Sequence, residues 1–232
     1  MSQPPGKSID PTSSLIVGIV TDPSSFEFAT SGGCADFCHL LEVRLDAFKS
    51  VDVNFLKSLE VSGLPLLFTA RDPLEGGLHD LSSDQREQLL LLALPFATLV
   101  DIEIRNMEKM NALVAKARRS NVSIVGSFHD FETFPSEAIQ NVLRNDSGAD
   151  IVKVAVHVES EEQLAELEAV FAARSSSLPI AIMGMGPKGR ESRLRALRWG
   201  SVLNYGYLGK PNAPGQWSAR ELRTYLEGMT TG

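Results

Sequence analysis

Asp150-Ile151-Val152-Lys153-Val154-Ala155-Val156 reads as a strand that is apolar on both faces, with one lysine set into it. Apolar side chains on both sides of a pleat mean that both faces are covered, which is the condition of a parallel sheet flanked by helices rather than of a half-solvated antiparallel one. The flanks agree. Upstream, Ser136 to Leu143 has helical periodicity, and downstream Ser160-Glu161-Glu162-Gln163 has the form of a capping box opening a helix toward Arg174.

Outward from this unit the same pattern recurs. Apolar or β-branched runs fall at Leu15 to Val20, Leu40 to Leu45, Pro65 to Ala70, Thr98 to Ile104, Val122 to Phe128, Ile151 to Val156, Pro179 to Met183 and Val202 to Tyr205. Helical segments lie between them, among them Asp84 to Leu94 after the cap signal Ser82-Ser83-Asp84, Met107 to Arg119, and Ser218 to Leu226 with Glu221 three residues after Ser218. The runs are spaced by roughly 27 residues, enough for one strand, one helix and two short loops, so the chain is predicted to be an α/β protein forming a single (β/α)8 barrel. The barrel is expected over residues 15–232. Residues 1–14, rich in Ser and Pro and without the apolar stretch of a secretory signal, are expected to be a flexible tail. An open doubly wound sheet is the structural alternative, but no Gly-rich dinucleotide fingerprint follows the first strand.

Composition narrows the partners. The chain has 232 residues, 43% hydrophobic and 22% charged, with a formal charge of −7, which favours neither nucleic acid nor an anionic membrane surface. No apolar run reaches the length that spans a bilayer. The expected partner is a small molecule. Cys34 and Cys38, four apart in a segment read as helical, are expected to be apolar fillers in a reduced cytoplasmic protein.

A barrel builds its site at the C-terminal ends of its strands, where a polar residue costs free energy unless it is paired or used. Glu42-Val43-Arg44-Leu45-Asp46 ends the second strand, Thr69-Ala70-Arg71-Asp72 the third, Asp101-Ile102-Glu103-Ile104-Arg105 the fourth and Ser127-Phe128-His129-Asp130 the fifth. Period-two alternation puts Glu42, Arg44 and Asp46 on one face, and Asp101, Glu103 and Arg105 likewise. Lys153 has two readings. One is a structural lysine paired with a barrel carboxylate. The other is an amine held out of water, with Arg44 and Arg71 as the cationic field, available to attack a carbonyl and form an imine. His129, one strand away, is placed for proton transfer. His39, His79 and His157 read as surface or supporting residues, and no spacing resembles a metal-ligand set. Met183-Gly184-Met185-Gly186-Pro187-Lys188-Gly189, read as a flexible loop leading to Ser192-Arg193, suits a phosphate or a carboxylate, and Ala213-Pro214-Gly215-Gln216 reads as a lid turn.

Taken together, Glu42 to Asp46, Arg71 with Glu75-Gly76-Gly77, Ser127 to Phe131, Asp150 to Ala155, Met183 to Gly186 through Ser192-Arg193, and Ala213 to Gln216 resemble type I 3-dehydroquinate dehydratase, the Schiff-base dehydratase of the shikimate pathway. The resemblance covers Leu15 to Leu226. It implies a barrel, usually a homodimer, that converts 3-dehydroquinate to 3-dehydroshikimate and water without a cofactor or metal. It further implies Lys153 as the imine-forming residue, His129 as the general acid/base with Glu75 beside it, and Glu42, Arg44 and Arg71 on the ring hydroxyls. Arg193 and Gln216 would grip the substrate carboxylate, with Asn212 able to hydrogen-bond it and Ala213 also on the substrate, and Met183, Met185 and Tyr205 would line the ring pocket.

The chain departs from the family pattern at Asn212, where Ser is common, at Gly18, where the first strand often carries a polar residue, and at Tyr205, where Phe is frequent. Asn212 can still hydrogen-bond the carboxylate and is expected to tune affinity rather than abolish activity, and Tyr205 is the milder change. The enzymatic alternative is a class I aldolase on the same barrel, which would need a phosphate site. The other alternative is an inert ligand-binding barrel, which would be expected to lose Lys153 or His129.

Overall fold

The computed structural model describes residues 9–10, 12–144, 147–173, 178–211 and 215–230. Its strands are β1 (Leu15–Val20), β2 (Leu40–Arg44), β3 (Leu66–Thr69), β4 (Leu99–Glu103), β5 (Ser123–Asp130), β6 (Ile151–His157), β7 (Ile180–Met185) and β8 (Leu203–Tyr207). Helices follow them in turn: α1 (Pro23–Thr30), α2 (Val53–Ser58), α3 (Ser83–Ala93), α4 (Asn111–Arg119), α5 (Ser136–Arg144), α6 (Glu161–Ala172), α7 (Gly189–Trp199) and α8 (Ala219–Thr230). The strands pair in parallel in the order β7-β6-β5-β4-β3-β2-β1-β8. A backbone bond from Val202 N to Ile180 O at 3.0 Å draws the β7 and β8 edges together, so the sheet is a nearly closed barrel.

Alternation along each strand divides the apolar residues into two sets. Leu15, Val17, Ile19, Leu40, Leu67, Leu99, Val125, Ile151, Ala181 and Leu203 pack together inside the barrel, while Ile16, Leu41, Leu66, Val100 and Ile124 pack outward against the helices. Half-buried Ile9 packs against the inner set, and Ser14 Oγ donates to Ser201 O at 3.0 Å. No described helix is long and apolar enough to cross a membrane.

Several local expectations are corrected. Gly18 faces the helix layer, where a Cβ would lie 2.7 Å from Cys38 Sγ and 2.9 Å from Leu208 Cδ2, so the departure there does not touch the barrel interior. Cys34 lies in a one-turn 3-10 helix, Gly33–Asp36, rather than in an α-helix that also holds Cys38. Gly32 at φ +86° breaks the chain just before that turn. Both thiols are free and buried, and burial pushes Cys34 up to about 11. At α6, Ser160 Oγ caps Gln163 N, but Gln163 Oε1 turns back to Glu159 N, so the reciprocal half of the expected box is displaced by one residue.

Candidate active site

The strands bring inward-facing polar residues of their C-terminal halves together at one end of the barrel. There Lys153 Nζ lies 3.1 Å from Asp101 Oδ2 and 3.3 Å from Glu42 Oε1, and 4.2 Å above the Tyr205 ring. The carboxylate pairing expected of a structural lysine is therefore present. Thr69 Oγ1 donates to Glu42 Oε1, and Ser127 Oγ donates to Asp101 Oδ1, so both acids are fixed before any ligand enters.

Arg71 runs through the centre of this group. It pairs with Asp101 at 2.9 Å and with Glu103 at 2.9 Å, and its Nη1 also donates to Ser127 Oγ at 2.6 Å. Lys153 and Arg71 thus share Asp101. Burial works to raise the Asp101 carboxyl, but the charges of Arg71 and Lys153 outweigh it and hold Asp101 well below the usual carboxylate range. Arg44 is half-buried and committed elsewhere, to Asp46 at 2.7 Å and to Gly76 O at 3.0 Å.

Glu75 and His129 form a second pair. His129 Nδ1 is 3.1 Å from Glu75 Oε2, which also accepts from His129 N at 2.9 Å. The turn carrying Glu75 closes at Gly76, whose φ is +87°; a Cβ there would meet the Phe131 ring at 2.6 Å. Burial pushes the Glu75 carboxyl up to about 7, with Arg71 opposing. Burial, then the charges of Arg71 and Lys153, drive His129 well below its usual range. His129 is therefore neutral near pH 7, and Nδ1–H donation to an ionised Glu75 leaves Nε2 with its lone pair.

Arg193 stands apart from this network. Half-buried on α7, it donates to Tyr205 O at 3.2 Å and touches Met183 Sδ at 3.7 Å, and burial lowers it to about 10. No carboxylate pairs with it among the described residues. Tyr205 is buried, its hydroxyl has no partner among the described residues, and burial pushes it well above its usual range. Met183 and Met185 lie on β7 itself, which runs two residues past the expected end in register with Val156 and His157 of β6, with Gly184 N bonded to Ser192 Oγ at 2.9 Å. Gln216 is half-buried on the approach to α8. Asn212 and Ala213 lie outside the described residues.

Two expected placements fail. β4 ends at Glu103, and the 3-10 turn Ile104–Asn106 leaves Arg105 exposed instead of beside Asp101. β2 ends at Arg44, so Asp46 does not continue the strand face; it folds back to Arg44 from a 3-10 turn and accepts the amides of Arg71 and Leu78. The sequence reading also missed Arg86 and Asn106 and gave Asp72 no role beyond ending the third strand; all three are buried behind Glu103. Arg86 is in register with Leu90 and Ala93 on the buried stripe of α3, the one signal that could have found it.

A family model described as type I 3-dehydroquinase matches residues 33–231. A 3-dehydroquinate dehydratase of Methanothrix thermoacetophila is 38% identical over 193 residues, 81% of this chain and 80% of the relative. The crystal structure of 3-dehydroquinate dehydratase from Geobacillus kaustophilus superposes with a TM-score of 0.85 at 28% identity, covering 95% of this chain and 92% of that one. A type I 3-dehydroquinate dehydratase from Clostridium difficile with covalently modified comenic acid gives 0.85 at 26% identity, covering 94% and 93%.

Proposed function

The chain belongs to the type I 3-dehydroquinase family, and from that premise we propose that its barrel mouth dehydrates 3-dehydroquinate through an imine on Lys153. The activity is that of a 3-dehydroquinate dehydratase, a hydro-lyase. Lys153 Nζ adds to the ring ketone, and loss of water gives a protonated imine that acts as an electron sink for the adjacent C–H bond. His129 Nε2 takes the C2 proton. The electron pair left at C2 forms the C1–C2 double bond as the C1 hydroxyl departs with a proton from His129, and hydrolysis of the imine frees 3-dehydroshikimate and Lys153.

Each part has its support in the geometry. Glu75 selects the His129 tautomer that can act as a base, and Glu42, Arg44 and Arg71 offer acceptors and donors to ring hydroxyls. Arg193, which lacks an acid partner among the described residues, is assigned the substrate carboxylate with Gln216, Asn212 and Ala213. Met183, Met185 and Tyr205 are assigned to the ring faces. Two amides at the start of α7 are already committed, Lys188 N to Val158 O and Gly189 N to Gly186 O, which leaves fewer of them for a phosphate grip of the aldolase kind. The covalent ligand of the Clostridium difficile relative is in keeping with covalent chemistry here. A cytoplasmic homodimer serving the shikimate pathway, with the catalytic barrel at 15–232, completes the reading.

The observation that carries the mechanism is Lys153, a 4% exposed amine held among fixed acids beside a neutral histidine. Borohydride added with 3-dehydroquinate or 3-dehydroshikimate should inactivate the enzyme and leave one ligand on Lys153 by mass spectrometry. Turnover with no adduct, or an adduct elsewhere, would remove the mechanism.

A further inference from the structure

Behind the catalytic ring lies a second buried polar cluster that the mechanism does not use. Arg86 on α3 is 3% exposed. Its Nη1 donates to Glu103 Oε2 at 2.9 Å and its Nη2 to Asp72 Oδ2 at 2.8 Å, while Nε has no partner among the described residues. Asn106 Nδ2 ties the same two oxygens together, at 2.8 Å from Asp72 and 3.0 Å from Glu103.

Each acid leads to a different part of the site. The other oxygen of Glu103 accepts from Arg71 Nη1 and from Asp72 N, both at 2.9 Å. Asp72 starts the 3-10 turn Pro73–Glu75: Oδ1 caps Leu74 N, and its carbonyl accepts from Glu75 N and Gly77 N. That turn delivers Glu75 to His129.

We propose that Arg86 is a positioning residue for the dehydration, holding Arg71 in aim through Glu103 and the Glu75–His129 pair through Asp72. This rests on the dehydratase reading above. One guanidinium joins both branches, so its loss disturbs substrate alignment and proton transfer together. It also leaves two buried carboxylates short of a counter-charge, which pulls Asp72 toward water and with it the turn it caps. A misplacement of about 1 Å at reacting groups costs on the order of a hundredfold in rate.

The test compares wild type, Arg86→Met and Arg86→Lys as whole enzymes, measuring 3-dehydroquinate turnover across pH alongside thermal unfolding. Arg86→Met is expected to lower kcat/KM by about 10- to 100-fold. It should also move the acidic limb of the profile to higher pH, because Glu103, left with Arg71 as its remaining cation, raises Glu75 further. Arg86→Lys, which keeps the charge but not the fork, should fall between, and free guanidinium ion should restore part of the Met variant's rate. A Met variant within about twofold of wild type, its limb unmoved and only its melting temperature lowered, makes Arg86 a structural brace and overturns the proposal. If the Met variant does not fold, the Lys variant decides: an unchanged rate and limb overturn the proposal, and a reduced rate with a moved limb supports it. Absence of turnover in wild type itself would bring down the dehydratase reading, and the proposal with it.

Discussion

Replacing Arg193 by methionine should damage catalysis while leaving the fold as stable as before or more so. In the free protein its neighbours are a carbonyl oxygen at 3.2 Å and a sulfur at 3.7 Å, and burial lowers the guanidinium from 12.5 to about 10. At about 1.4 kcal/mol per tenfold, keeping that charge half-dry costs up to about 3 kcal/mol at any pH below about 10. The residue is partly exposed, so solvent reduces the figure. When the substrate carboxylate forks the guanidinium, the balance reverses, and a desolvated bidentate pair is worth on the order of 2 to 5 kcal/mol on truncation. That converts to roughly 30-fold to several thousandfold in kcat/KM. Arg193→Lys restores charge without the fork and should lie between. Steady-state kinetics and thermal melts on the same preparations check both halves. A substrate analogue with an amide in place of the carboxylate completes a double-mutant cycle, and its loss should largely vanish in Arg193→Met. Additive losses, or a variant that unfolds readily yet keeps its kcat/KM, would refute the assignment.

Three other substitutions probe the remaining groups. His129→Ala should cost about 10² to 10⁴ in turnover while still forming the reducible adduct on Lys153, and near-native turnover would exclude it as the proton carrier. The ascending limb of kcat/KM should follow Glu75 near pH 7, since only the carboxylate selects the basic tautomer, and Glu75→Gln should lose that limb. Its folded value lies above the ordinary 4.5, so Glu75 favours the folded state fully below pH 4.5 and loses that contribution as pH rises through about 7. Glu75→Gln should therefore gain melting temperature on wild type across that window; a constant difference refutes the burial argument. Tyr205→Phe removes a buried hydroxyl without a partner among the described residues and should leave stability unchanged or raise it by about 1 kcal/mol, a clear drop in thermal stability showing that the hydroxyl is bonded.

What the sequence revealed and what it hid both have physical causes. In strands that are apolar on both faces, each inward polar residue stands out, so Glu42, Arg71, Asp101, Glu103, His129 and Lys153 could be read directly. Strand ends could not, because contacts far along the chain set them. Asp46 leaves the β2 ladder to catch the amides of Arg71 and Leu78, and β7 continues for as long as β6 runs beside it, to His157 opposite Met185. Arg86 was hidden differently. Its place on the buried stripe of α3 was visible, but a charged residue on a helix is usually solvated, and only Glu103 and Asp72, brought in from β4 and the β3–α3 connection, make its burial tolerable.

Charge placement separates the scaffold of this site from its recognition surface. Arg71 and Lys153 share Asp101, Arg71 and Arg86 share Glu103, Lys153 also reaches Glu42, and Arg44 has Asp46. Those cations are neutralised in the empty enzyme, and a ligand's charge adds little to what they already have. Arg193 alone among these five has no described carboxylate, so an anionic group in the mouth is the partner that relieves its desolvation. A neutral polyol could satisfy Glu42 and Arg71 but would leave Arg193 charged and unpaired. Its penalty relative to the carboxylate-bearing ring is that of an unmatched buried charge rather than of one missing hydrogen bond. On the proposed reading the network would set where the ring hydroxyls and the reacting carbon lie, with the dipoles in place before reaction, while the guanidinium of Arg193 would decide which rings are admitted.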